Sequence, residues 1–157
     1  MARAHRYVAT CSWRGSTAGG YDSYDRAHDA HVPPVEATLA LSSDPAFRGD
    51  PSLLNPEQLV VLAAASCQLL SFLAVAARAR VDVVAYDDTA EGTMPEANRP
   101  MWITEIVLHP RITVNGVVDE ARVRHLCDVA HRECFVASSL RTEIRVEPEI
   151  TIGATPA

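Results

Sequence analysis

The sequence predicts an α+β fold in which antiparallel sheets pack around one long buried helix. Three features carry this expectation. A long apolar run, NPEQLVVLAAASCQLLSFLAVAARA, opens with clear helix-start residues. Runs with strand-like composition lie on both sides of it. A second stretch repeats its apolar residues at three- and four-residue spacing. The resulting order is β-β-β-α-β-β-α-β.

Residues 5–14 and 19–24 read as a first hairpin, with Gly15, Gly19 and Gly20 between them. Trp13, Tyr21 and Tyr24 supply the aromatics that strands favour. A third short strand is expected near Pro34–Leu41, followed by a loop, SSDPAFRGDPSLL, dense in Asp, Ser, Gly and Pro. Asn55 then suits an N-cap, Pro56 the first helical position and Gln58 a capping-box partner. Glu57 sits in the first turn, where the helix dipole favours a negative charge. The helix should reach about Ala79.

Two strands follow, in VDVVAYDDTAEGTM and ITEIVLHPRITV. Ile106, Leu108, Ile112 and Val114 share one face of the second strand. Pro110 suggests that this strand lies at an edge or carries a bulge. Asn115-Gly116 makes a turn. A second helix covers about Val118–Ala130, with Val123, Leu126, Cys127 and Ala130 on one face. The last segment, LRTEIRVEPEITI, is a closing strand interrupted at Pro148.

At 157 residues the chain fits one domain, 1–157, or a tightly fused pair of lobes. Hydrophobic residues make up 48%, enough for a sizeable core. The net charge is −6, and no Lys/Arg-rich block occurs. Nucleic acid, which demands a basic stripe, is therefore not an expected partner. The N-terminus lacks the apolar core of a secretory signal. Four cysteines, Cys11, Cys67, Cys127 and Cys134, are too few for a disulfide scaffold, so a reducing cytoplasm is expected. Leu59–Ala79 is long enough to cross a bilayer, but its Ser66, Gln68 and Ser71 favour a buried central helix over a membrane span.

That helix is apolar nearly all round and must be covered on most sides. One small sheet covers one side. A second subunit would cover the rest, so a homodimer is expected.

Two cysteines stand out. Cys67 lies mid-helix, and Cys134 follows in AHRECFVASSL. A lone thiol in a buried helix is usually a small core side chain. Two thiols that meet in space beside an arginine and a glutamate make a peroxide-reducing centre. Cys127 shares the apolar face of its helix and reads as structural, and Cys11 carries no motif. A different chemistry is also open. His125, Cys127, His131 and Cys134 form HLCDVAHREC, a compact nitrogen and sulfur set that could bind zinc. A third reading is a non-catalytic dimer that binds a small apolar ligand. No cofactor is expected.

The NPEQL…AAASCQLLSFLAVAA block followed by AHRECFVASSL resembles the OsmC/Ohr family, that of osmotically induced protein C and the organic hydroperoxide resistance proteins. The likeness runs from about Tyr7 to Ile152. It implies an intertwined α+β homodimer, a single OsmC-like domain and thiol-dependent reduction of peroxides, organic hydroperoxides especially. It further implies that Cys67 is the peroxidatic cysteine and Cys134 the resolving one, and that the family's glutamate is Glu57. The family's arginine maps to Arg48, in AFRGD, or to Arg26, in YDRAH. Arg48 is preferred, and the chain has no clear GGR motif of the hydroperoxide-resistance branch. A small dithiol or lipoyl-type reductant is implied.

The chemistry fits those residues. A buried thiol ionises poorly, so Cys67 needs a cation beside it, and arginine stays charged. A buried arginine in turn needs a carboxylate. Glu57 and Cys67 are separated by about 15 Å along one helix at ~1.5 Å per residue. Glu57 would therefore act through an arginine, a bent helix or the partner subunit's helix.

Overall fold

The computed structural model describes residues 4–153. The chain divides into two compact units, Met1–Leu59 and Val60–Ala157. The first holds three antiparallel strands, β1 (Thr10–Ser12), β2 (His28–His31) and β3 (Thr38–Leu41), in that spatial order. Cys11 lies opposite Ala30, and Ala30 opposite Leu39.

The expected partner of β1 differs. Residues 19–24 form turns, and β1 pairs with residues 28–31 instead. The aromatic side chains explain this. Tyr24 stands edge-on to Trp13 at 6.0 Å and to Tyr21 at 6.3 Å. The Arg26 guanidinium stacks 3.9 Å over Tyr24 and 4.7 Å over Tyr21. Rings gathered round one cation gain more than they would in a two-stranded ribbon. Gly20, at φ 91°, turns the chain within this knot.

After β3 the loop is locked by its own polar groups. Asp44 caps a short 3-10 turn, Pro45–Phe47, by accepting from the Ala46 N–H at 2.8 Å. Gly49 passes so close to Ser43 that a Cβ there would lie 1.6 Å from the Ser43 carbonyl oxygen. The capping box forms as expected. Gln58 N–H donates to Asn55 Oδ1 at 2.8 Å, and Asn55 N–H donates to Gln58 Oε1 at 3.0 Å.

The long helix α1 spans Pro56–Arg78. In the second unit it buries Ala64, Gln68, Phe72, Val75 and Ala76, which recur at helical spacing. Its opposite face carries Leu62 and Leu70, 59% and 63% exposed in the single chain. So α1 is amphipathic in its packing, although its composition is apolar throughout.

Strands β4 (Asp82–Thr93) and β5 (Glu105–Asn115) form a long antiparallel pair. Helix α2 (Glu120–Glu133) is capped by Asp119, whose carboxylate accepts the Ala121 N–H. The cap moves the helix start past the expected Val118. A five-residue helix, α3 (Phe135–Ser139), follows almost at once. The closing segment splits at Pro148 into β6 (Glu143–Val146) and β7 (Glu149–Gly153).

Both closing strands run parallel to β5, beside its first and second halves respectively. This sheet is thus mixed rather than wholly antiparallel. The cause is the α2–α3 crossover, which returns the chain to the starting end of β5. β5 is therefore central, not an edge. Pro110 is tolerated there because β6 pairs with residues 105–108 and β7 with 111–115, leaving the missing N–H beside the break at Pro148. Ile112, Val114, Phe72, Val123 and Cys127 share one core cluster. Ala64, Ile106 and Leu108 form a second.

Candidate functional site

The second unit brings Cys67 and Cys134 together. Cys67 is half-buried at the middle of α1, and all four cysteines are free thiols. Cys134 lies between α2 and α3, 2% exposed, and acts as the N-cap of α3. Its sulfur accepts the Ala137 N–H at 3.5 Å. The Cys67 sulfur accepts the Val136 N–H at the same distance. The two thiols lie close enough to influence each other's ionisation. One short stretch of backbone therefore holds both sulfurs.

This environment separates their acidities. Burial opposes ionisation of Cys67. The neighbouring Cys134 thiol, the Val136 and Phe135 N–H groups and the Ser71 hydroxyl favour the ionised sulfur and outweigh that cost. Cys67 lies below the ordinary thiol range. Cys134 is pushed up by burial and by the neighbouring Cys67. The two thiols thus differ in acidity, Cys67 being the more readily ionised. Cys127, in contrast, is pushed up to about 12, chiefly by burial. It packs with Phe72 and Ala130 as a core residue.

Cys67 opens onto a groove of about 650 Å³ lined by Leu70, Ser71, Ala74, Arg132 and Phe135. Leu70, Ala74 and Phe135 give it apolar lining, and the Arg78–Glu133 ion pair at 2.6 Å also borders it. Such a groove suits a molecule with an apolar body.

The three charged candidates belong to the first unit. Arg48 adopts φ 63°, a left-handed conformation uncommon for a residue with a Cβ. Its Nε lies 2.7 Å from Asp22, not paired with Asp44 or Asp50. Both side chains are more than half exposed, so this pair adds about 0–1 kcal/mol. Arg26 donates to the Tyr21 and Tyr24 carbonyls and lines a cleft of about 320 Å³ with Trp13 and His28. Glu57 occupies the first turn of α1, as expected. It has no ion-pair partner among the described residues of its own unit.

The histidine and cysteine string of α2 does not converge. Among the described residues, no three His, Cys, Asp or Glu side chains are grouped to hold a metal ion. Cys127 faces the core while Cys134 faces Cys67.

Four contributors escaped sequence reasoning. Ser71 stands one turn after Cys67, where an i, i+4 pairing could have revealed it. The Phe135 and Val136 N–H groups carry no side-chain signal at all. Nor did the sequence mark Gln68 as the residue whose Nε2 donates to the Cys127 carbonyl at 3.3 Å.

A long helix bearing one thiol, met by a second thiol at a helix junction, defines a two-cysteine α+β protein. The OsmC-like protein family matches residues 49–149, and the chain belongs to it. An OsmC-like protein of unknown function from Vibrio cholerae has a similar structure, with TM-score 0.82 and 26% identity over 93% of this chain and 100% of that one. An organic hydroperoxide resistance protein from Legionella pneumophila superimposes with TM-score 0.69 and 18% identity, covering 96% of this chain and 99% of its own. Another from Elizabethkingia anophelis gives TM-score 0.71 and 17% identity, over 98% and 100%. These last two share the fold. The search of curated proteins found no match.

Proposed function

We propose that this protein is a thiol peroxidase that reduces organic hydroperoxides, and hydrogen peroxide as a second substrate. The observation that carries the reading is the contact between a lowered Cys67 and a raised Cys134. Family membership and the fold shared with organic hydroperoxide resistance proteins support it.

The cycle begins with the Cys67 thiolate attacking the distal peroxide oxygen. The sulfur–oxygen bond forms, the oxygen–oxygen bond breaks, and the alkoxide leaves as an alcohol after taking a proton. Cys67 is then a sulfenic acid. Cys134 attacks that sulfur, the new disulfide forms and water departs. An external small dithiol or lipoyl-type reductant restores both thiols by exchange. The groove beside Cys67 would take the organic part of the peroxide.

Arg48, with Arg26 as the alternative, is proposed to complete thiolate stabilisation, balanced by Glu57. The exposed Leu62 and Leu70 face of α1 supports a homodimer of single 1–157 domains, working in the cytoplasm without nucleic acid or membrane. The competing reading is a non-catalytic dimer holding a small apolar ligand in the same groove.

The test is peroxide consumption with cumene hydroperoxide and hydrogen peroxide, under a dithiol and then a monothiol. Turnover that needs Cys67 and prefers the dithiol supports the peroxidase. Ligand binding without turnover, unchanged in Cys67→Ser, points to the binder.

A further inference from the structure

Once a bridge between Cys67 and Cys134 has closed, a reductant has two sulfurs to attack, and their surroundings are unequal. Cys67 lines the groove, and Ser71, Ala74 and Arg78 continue that lining along α1 at helical spacing. This row extends about 16 Å from Cys67. Phe135 and Ser138 line the groove from α3. Cys134 is no part of the lining and is 2% exposed.

The main chain of Cys134 is also fastened on both sides. Its N–H donates to the His131 carbonyl at 3.2 Å. Its carbonyl accepts the Ser138 N–H at 3.0 Å and the Ser138 hydroxyl at 2.9 Å. Its sulfur accepts the Ala137 N–H. Moving this residue towards solvent means giving these bonds up.

We infer that the reductant attacks the bridge at the Cys67 sulfur, so that the mixed disulfide forms on Cys67 and Cys134 is the leaving group. This rests on the peroxidase reading above. Thiol–disulfide exchange depends on which sulfur can be reached and on which thiol leaves more easily. The second factor points the other way here. Cys67 is the more acidic thiol and burial pushes Cys134 up, so acidity alone would have Cys67 leave. Access decides, because an attacking sulfur must first reach its target, and around Cys134 packed protein stands in place of solvent. The Ala137 N–H then meets the charge that develops on Cys134 as it departs.

The exchange balances for a small dithiol. Its first thiol gives a proton to solvent and its sulfur bonds to Cys67. The bond between the two cysteines breaks, its electron pair goes to Cys134, and Cys134 takes up a proton. The second thiol then loses its proton and bonds to the first sulfur, and Cys67 leaves as the thiolate. The dithiol loses two electrons and the protein gains two.

The same geometry favours a dithiol over a monothiol. After the first step Cys134 lies beside the mixed disulfide and attacks Cys67 again, which restores the bridge and expels the reductant. A second thiol on the same molecule competes with this reversal, because it is tethered to the sulfur that it attacks. A second monothiol has to arrive from solution.

The experiment starts from the full-length protein bridged with one equivalent of cumene hydroperoxide. Excess mercaptoethanol is added, the mixture is quenched in acid within seconds, free thiols are alkylated at low pH with N-ethylmaleimide, and the peptides are sequenced by mass spectrometry. The mercaptoethanol adduct should sit on Cys67 and the maleimide on Cys134. An adduct on Cys134, in equal or greater amount, overturns the inference. A second arm needs no trapped adduct. Ala74 is an exposed residue of the groove, so Ala74→Trp narrows the approach to Cys67 without disturbing the core. Stopped-flow reduction of its bridge by dithiothreitol should be slower than in the parent by about tenfold, the scale of a misplaced reactant. An unchanged rate overturns the inference as well. If peroxide produces no bridge, the peroxidase reading falls, and both arms run on a bridge made with diamide still decide the point of attack.

Discussion

The backbone N–H of Val136 donates to the Cys67 sulfur at 3.5 Å, across 69 residues of sequence. The next N–H, of Ala137, donates to Cys134. Two adjacent amides thus hold the two sulfurs side by side. Neutral donors on its own unit thus favour the ionised form of Cys67.

That arrangement predicts a measurable acidity. Iodoacetamide alkylation of Cys67 followed against pH should give a midpoint below that of an ordinary thiol, about 8.5. Cys134→Ala removes the neighbouring thiol and should move the midpoint upward. An unmoved midpoint would assign the whole effect to other groups.

Arg48 is expected to contribute more to turnover than Arg26. Arg26 is already committed to two carbonyls and two aromatic rings. Arg48 is tied, among the described residues, only to an exposed carboxylate. Loss of a charge-assisted hydrogen bond, about 1.5–3 kcal/mol, predicts that Arg48→Ala lowers kcat/KM by about 10- to 100-fold. Steady-state kinetics on both alanine variants checks this; a larger loss in Arg26→Ala would exchange their roles.

Cys127 makes a prediction at alkaline pH. Its folded thiol is pushed up to about 12 by burial, against about 8.5 in an unfolded chain. A raised group stabilises the fold below its unfolded value and loses that contribution as pH climbs towards the folded one. The loss is about 1.4 kcal/mol per pH unit while the unfolded thiol is ionised and the folded one is not. The chain has no lysine to obscure the effect. Urea midpoints at pH 8 and pH 10.5 should therefore fall more for the parent than for Cys127→Ala. Equal falls would remove Cys127 from the alkaline transition.

The exposed face of α1 predicts an assembly. Leu62→Glu or Leu70→Glu should convert a dimer into monomers by sedimentation. A parent chain that is already monomeric at micromolar concentration would contradict the proposed dimer.

Much of the fold was legible because local signals were strong. Asn55, Pro56 and Gln58 marked the start of α1, and Ile106, Leu108, Ile112 and Val114 marked the buried face of β5. The misreadings came where tertiary partners decide. Tyr21 and Tyr24 looked like strand residues but gather round Arg26. Pro110 looked like an edge signal, yet its strand is central because the neighbouring segment breaks opposite it. Strand direction depended on the α2–α3 crossover, which periodicity does not encode. At the site, Cys67 and Cys134 were visible as motifs. The amides of Phe135 and Val136 were not, since backbone donors have no residue type.

The most direct measurement is to treat the reduced protein with one equivalent of cumene hydroperoxide and map its disulfides by mass spectrometry. The account predicts one Cys67–Cys134 bridge per chain, with Cys11 and Cys127 still reduced, and a Cys67 sulfenic acid alone in Cys134→Ser. Four intact thiols beside unconsumed peroxide, or oxidation confined to the exposed Cys11, would contradict it.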